Sequence, residues 1–153
     1  MTEANPSPAP LGPAFVVHDL RQALAAATAA AAAGRPLALV TPEDGLAAQG
    51  PLFWAEVQRR VEERAPSDLV VLLADADDAP GLAQAALRCG LRQLIFRGTA
   101  AVAAKLEAIA QAAGGSLQPA RPAAIDLLDE PDPGSAVAAR LRLVSAAQQP
   151  RQD

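Results

Sequence analysis

Three segments, "PLALVT" (36–41), "SDLVVLLA" (67–74) and "RQLIFRG" (92–98), carry runs of consecutive apolar residues rather than alternating ones. A strand that is apolar on both faces must be covered on both, which is the situation inside a parallel sheet. Between these runs lie stretches with helical spacing of apolar residues. A shorter run, "AFVV" (14–17), precedes them, and "AAIDLL" (123–128) follows. Short loops joining buried strands to helices are satisfied only by a parallel sheet with helical cover. The chain therefore predicts about five mostly parallel strands alternating with helices, with Leu69 to Leu73 at the centre. Right-handed crossovers leave an open doubly wound, flavodoxin-like sheet or half of a β/α barrel.

The helices carry their own punctuation. Asp19 with Gln22 has the spacing of a capping box, and Gly34 is a C-cap residue. Leu20, Leu24, Ala27 and Ala31 form the apolar stripe expected between them. Thr41 reads as an N-cap with Pro42 at the first helical position. In "PLFWAEVQRRVEERAP", Phe53, Val57 and Val61 form the buried face with Trp54 beside them. Glu56 and Arg60, and Arg59 and Glu63, are pairs four apart. "APGLAQAALRCG" is a short helix ending at Gly90. Thr99 caps another, with Val102, Leu106, Ile109 and Ala113 in line, which stops at Gly114-Gly115. Residues 1–13 read as a disordered Pro-rich tail, 14–147 as a single α/β domain and 148–153 as a second tail. Within the domain, 135–147 is a terminal amphipathic helix.

Hydrophobic residues make up 51% of the 153 positions but aromatics only 3%, so the core must rely on close approach of small side chains. The formal net charge is −4 with no basic stripe, which argues against nucleic acid and anionic membrane surfaces as partners. Cys89 is the only cysteine, so no intramolecular disulfide can form. No signal-peptide pattern opens the chain, and the expectation is a soluble cytoplasmic protein.

In a parallel sheet, functional groups gather beyond the carboxyl ends of the strands. That rim is predicted to hold His18, Thr41, Asp75, Asp77, Asp78, Arg97, Gly98 and Thr99. Asp19, Glu43 and Asp44 belong to it too. Arg97, Gly98 and Thr99 are the best anion-binding candidates, because they combine a cation, a small residue and a helix start. Asp75, Asp77 and Asp78 can hold Mg²⁺ or act as a phospho-acceptor cluster. Receiver domains of that kind also need a basic residue after the fifth strand, and no lysine stands there. The plainer reading makes Asp78 the cap of the next helix, its neighbours favouring the positive helix end. His18 is the only histidine, and metal centres need several ligands. Glycine patterns for dinucleotides or a P-loop are absent, as are zinc motifs and a nucleophile elbow.

Residues 14–119 resemble the first half of a keto-deoxy-phosphogluconate aldolase-type β/α barrel. "VVHDLRQALAAATAAAAAGRPLALVT" is similar to that family's opening strand, helix and glycine, then a strand ending Val-Thr. "ERAPSDLVVLLADADDAPGLAQAALRCGLRQLIFRGTAAVAAKLEAIAQAAGGSLQP" is similar to its next two units. The matching positions are Val40-Thr41, Gly90 and Gly98. The resemblance implies a barrel-type scaffold without aldolase chemistry. Leu39 stands where the family has its catalytic glutamate. The only lysine, Lys105, falls within a helix instead of on a sixth strand.

The expectation is a non-catalytic domain, without a cofactor, that binds a small anionic molecule or a protein partner. The alternative is a Mg²⁺-dependent enzyme or phospho-acceptor domain using the acidic rim. The last helix aligns Val137, Leu141 and Val144, with Leu143 beside them. That line must be buried on an open flank of the domain or on a second copy, and a half barrel inclines the reading to a homodimer.

Overall fold

The structure is a computed structural model and describes residues 12–147. Most of the Pro-rich stretch and the last six residues lie outside the described residues. The elements run β1 (Ala14–Val16), α1 (Leu20–Ala33), β2 (Leu37–Val40), α2 (Gly45–Gln49), α3 (Pro51–Arg64), β3 (Val70–Asp75), α4 (Pro80–Arg88), β4 (Gln93–Ile95), α5 (Ala100–Ala112), β5 (Ser116–Gln118), β6 (Ala124–Asp126) and α6 (Pro133–Ala147). Among the described residues the sheet has six strands, in the order β5-β4-β3-β2-β1-β6. Every neighbouring pair is parallel. The α/β class and the central position of the Leu69–Leu73 run are as expected. The expectation of about five mostly parallel strands also holds, with β5 as one further short strand between α5 and β6.

From β1 to β5 each strand lies beside the one before it, always stepping in the same direction. Right-handed crossovers then put the intervening helices on one face. The packing agrees: α6 lies on α1, α1 on α3, α3 on α4 and α4 on α5. Alternate strand residues feed the two sides. Phe15, Leu37, Leu39, Val70, Leu72 and Leu94 pack into the core under the helices. Ala14, Ala38, Val40, Leu73 and Ile95 form a smaller cluster on the other face.

The connection from β5 to β6 contains no helix. Residues 119–123 must carry the chain from one edge strand of the sheet to the other. Six strands laid flat place their edges about 24 Å apart. The connection reaches roughly 21 Å at full extension, and it must also descend from the carboxyl end of β5 to the amino end of β6. The sheet is therefore curled. Arg121, in mid-connection, bonds Asp75 at the end of β3 and the Thr41 carbonyl just beyond β2. Asp75 shares a face with Leu73, so the connection crosses the helix-free face, and that face is concave.

Several local expectations change. The buried residues of α1 are Gln22, Ala23, Ala26, Ala27 and Ala30, whereas Ala31 is exposed. The side chain of Asp19 accepts from the Gln22 N–H as predicted, but Gln22 bonds the His18 N–H and the Leu127 carbonyl instead of completing a box. Gly34 caps α1 at φ 60°, with the Arg35 N–H reaching back to Ala30. Thr41 caps nothing: α2 begins at Gly45 after Asp44. On α3 the predicted Glu56–Arg60 pair is replaced by Glu56–Arg59, and Arg59 also pairs with Glu63. Along α5 the buried residues are Leu106 and Ala110, and Ile109 is 44% exposed. Val137 and Leu141 of α6 are buried, and α6 packs on α1 of its own chain, so this line does not need a second copy for cover. Among the described residues, no helix is long and apolar enough to cross a membrane.

Candidate functional site

Asp75 ends β3 on the concave face, and its side chain is fully buried. A buried carboxylate needs partners for both oxygens. One oxygen, Oδ1, accepts the Asp77 N–H at 2.8 Å. The other, Oδ2, accepts Arg97 Nη1 at 2.9 Å and Arg121 Nη1 at 2.6 Å. Its backbone N–H donates to the Thr41 hydroxyl at 2.9 Å, and Arg121 Nη1 also donates to the Thr41 carbonyl at 3.0 Å. Two guanidiniums thus meet at a single oxygen atom. They come from different segments, Arg97 from the turn after β4 and Arg121 from the β5–β6 connection.

Arg97 also reaches outward. Its Nη2 donates to Asp77 Oδ1 at 3.1 Å, and its backbone N–H donates to the Asp77 carbonyl at 2.7 Å. Asp77 sits at φ 52°, in the left-handed region that aspartate tolerates better than most residues. Burial opposes the charge on Arg97, but Asp75 and Asp77 together hold its pKa above the usual guanidinium value.

His18 lies farther round the rim. Its Nε2 is 2.7 Å from Asp126 Oδ1, at the end of β6. Burial works to raise the pKa of Asp126. The Leu128 N–H, His18 and the charge of Arg121 outweigh it, so the carboxyl is held below its ordinary range. Arg121 therefore acts electrostatically on both halves of the rim.

Of the residues expected at the site, Thr41, Asp75, Asp77 and Arg97 converge. His18 joins a separate pair. Gly98 has a packing role: a Cβ there would fall 2.3 Å from the Phe96 ring, so a side chain would have to displace that ring. Thr99 caps α5 by accepting the Val102 N–H at 3.4 Å. Asp78 is the clear correction. The N-cap of α4 is Ala79, no side chain caps that helix, and Asp78 is exposed. Asp78→Ala is expected to change stability by less than about 0.5 kcal/mol in urea unfolding, and a loss near 1 kcal/mol would restore the cap. Asp75, by contrast, is buried. Among the described residues no group of three or more His, Cys, Asp or Glu side chains is placed to hold a metal ion. Lys105 is exposed on α5, away from the rim.

Two participants were not foreseen, Arg121 and Asp126. Asp126 is hidden inside "AAIDLL": the apolar run continues through Leu127 and Leu128, so the strand end at Asp126 leaves no local mark. Arg121 lies between two prolines in "PARPA", and only the crossing brings it to β2 and β3.

No protein family matches the chain, and neither does any curated protein. Among solved structures it is similar to that of a "putative fructose-1,6-biphosphate aldolase" from Coccidioides immitis, with a TM-score of 0.54 and 15% identity over 69% of this chain. The chain spans 39% of the length of that structure. At this identity the likeness concerns the fold alone. It agrees with an aldolase-like scaffold of which this chain has a part.

Proposed function

We propose that this is a non-catalytic domain that binds a small anionic molecule at the concave rim, with Arg97 and Arg121 as the anchoring residues. The carrying observation is the orientation of the charges around Asp75. The Asp75 side chain is 0% exposed, whereas those of Arg97 and Arg121 are 29% and 18% exposed. The carboxylate is buried and holds two guanidiniums that each keep part of their surface in solvent. Paired arginines held in this way suit a phosphate or carboxylate group, which takes parallel N–H donors. Thr41 supports the arrangement from beneath through Asp75 and Arg121. The magnesium reading gains no support from this geometry, because both Asp75 oxygens are already engaged by cations or an N–H.

Titration with inorganic phosphate, followed by the arginine Nε–H signals in NMR, tests the proposal. Saturable shifts at Arg97 and Arg121 are expected. R97K and R121K keep a positive charge near Asp75 but lose the forked donor, and each should weaken binding about tenfold. Affinity unchanged in both variants, or no saturable shift in the wild type, would refute the site.

A further inference from the structure

We infer that Asp77 is a built-in competitor for the anion site: its carboxylate occupies the outer arm of Arg97, and an incoming anion must displace it. This rests on the anion-binding reading above and adds how the site is regulated. The two arms of Arg97 are held differently. Nη1 is bound to a carboxylate that is fully buried, and Nη2 to one that is 61% exposed. The inner pair is locked by Arg121 and by the Asp77 N–H, which bonds the other oxygen of Asp75. The outer pair is solvated at 3.1 Å, and exposed ion pairs of this kind are weak. An oxyanion can therefore replace the Asp77 carboxylate on Nη2 without disturbing the buried half.

The backbone permits the exchange. Asp77 is held through its N–H to Asp75 and its carbonyl to the Arg97 N–H. Its side chain alone has to rotate, so the turn stays in place while Arg97 changes partner. Asparagine also tolerates the left-handed conformation at φ 52°, so the charge can be removed with little strain. Asp78 is the natural control. It is the next residue along and also exposed, but it is not among the bonded partners of Arg97.

The test compares inorganic phosphate affinity in the wild type, D77N and D78N by NMR titration at fixed ionic strength. Displacement predicts that D77N binds about three- to fivefold more tightly, while D78N stays close to wild type. In the wild type, saturation with phosphate should also shift the Asp77 carboxylate carbon, reporting loss of its partner. Equal tightening in D77N and D78N would mean that only general charge matters, and the competitor role would be wrong. If wild-type binding depends on Arg97 and Arg121 but D77N binds no more tightly, the competitor falls and the anion site stands. If phosphate binds none of the three proteins, both fall.

Discussion

Replacing Asp75 with alanine is expected to lower stability by on the order of 3 kcal/mol. The variant leaves two guanidiniums facing a site that has lost its counter-charge. It also strands the Asp77 N–H, which Asp75 Oδ1 accepts at 2.8 Å. Removing one partner of a buried ionic cluster costs more than the cluster contributes, because the remaining charges stay desolvated. Arg97 and Arg121 keep some access to water, which holds the cost to the lower end of the range for such losses. For a chain of this size the melting temperature should fall by roughly 10 °C. Chemical denaturation followed by circular dichroism would measure it. A loss under 1 kcal/mol would show that the arginines turn to solvent freely, and that Asp75 does not hold the rim together.

Trp54→Ala should be costlier still, at about 4 kcal/mol. Trp54 is the only tryptophan and is fully buried. Its ring meets Phe53 edge-on, with centroids 5.1 Å apart, and its Nε1–H donates to the Gly45 carbonyl at 3.0 Å. A Cβ on Gly45 would come within 3.3 Å of the indole, so α2 and α3 are fitted closely around that ring. In a core built largely of alanine, leucine and valine, few neighbours are long enough to fill the resulting cavity. Trp54→Phe keeps much of the volume but loses the hydrogen bond, and should lie between the two. Equal stability of the alanine and phenylalanine variants in urea would assign the whole effect to the bond rather than to packing.

The parts that were legible in the sequence are those decided by local chemistry. The runs at β2 and β3 are apolar on both faces and need a parallel sheet wherever they stand. Gly34 and Thr99 end and begin helices by conformational preference and a side-chain oxygen. Strand β5 was not legible because Ser116-Leu117-Gln118 has one apolar residue in three and sits at an edge, half-buried. In α1 alanines stand on every side of the helix, so the stripe through Leu20 and Leu24 does not single out the face that is buried. The buried face is chosen by α3 and α6, which pack against it. The site was half legible for a related reason. Some strand ends are visible locally, and Asp75 and Arg97 stand at two of them. Arg121 lies 80 and 46 positions from Thr41 and Asp75, and no local pattern announces that meeting. Asp78 has the chemistry of a cap and precedes a helix, yet α4 starts from Ala79 without a side-chain cap.

The place of β6 beside β1 gives the chain a hidden circular order. Helix α6 follows a parallel strand and packs beside α1, so it returns toward the end of the sheet from which β1 departs. If β6 and α6 were transplanted ahead of β1, the strands would stand in space in the same order as in the chain, β6-β1-β2-β3-β4-β5. Every step would then be an ordinary strand–helix–strand move. The domain is in this sense a circular permutation of a simple ladder, and the segment 119–123 is the seam that the permutation leaves. Arg121 stands on that seam, so the rim depends on a connection that the plain ladder would lack.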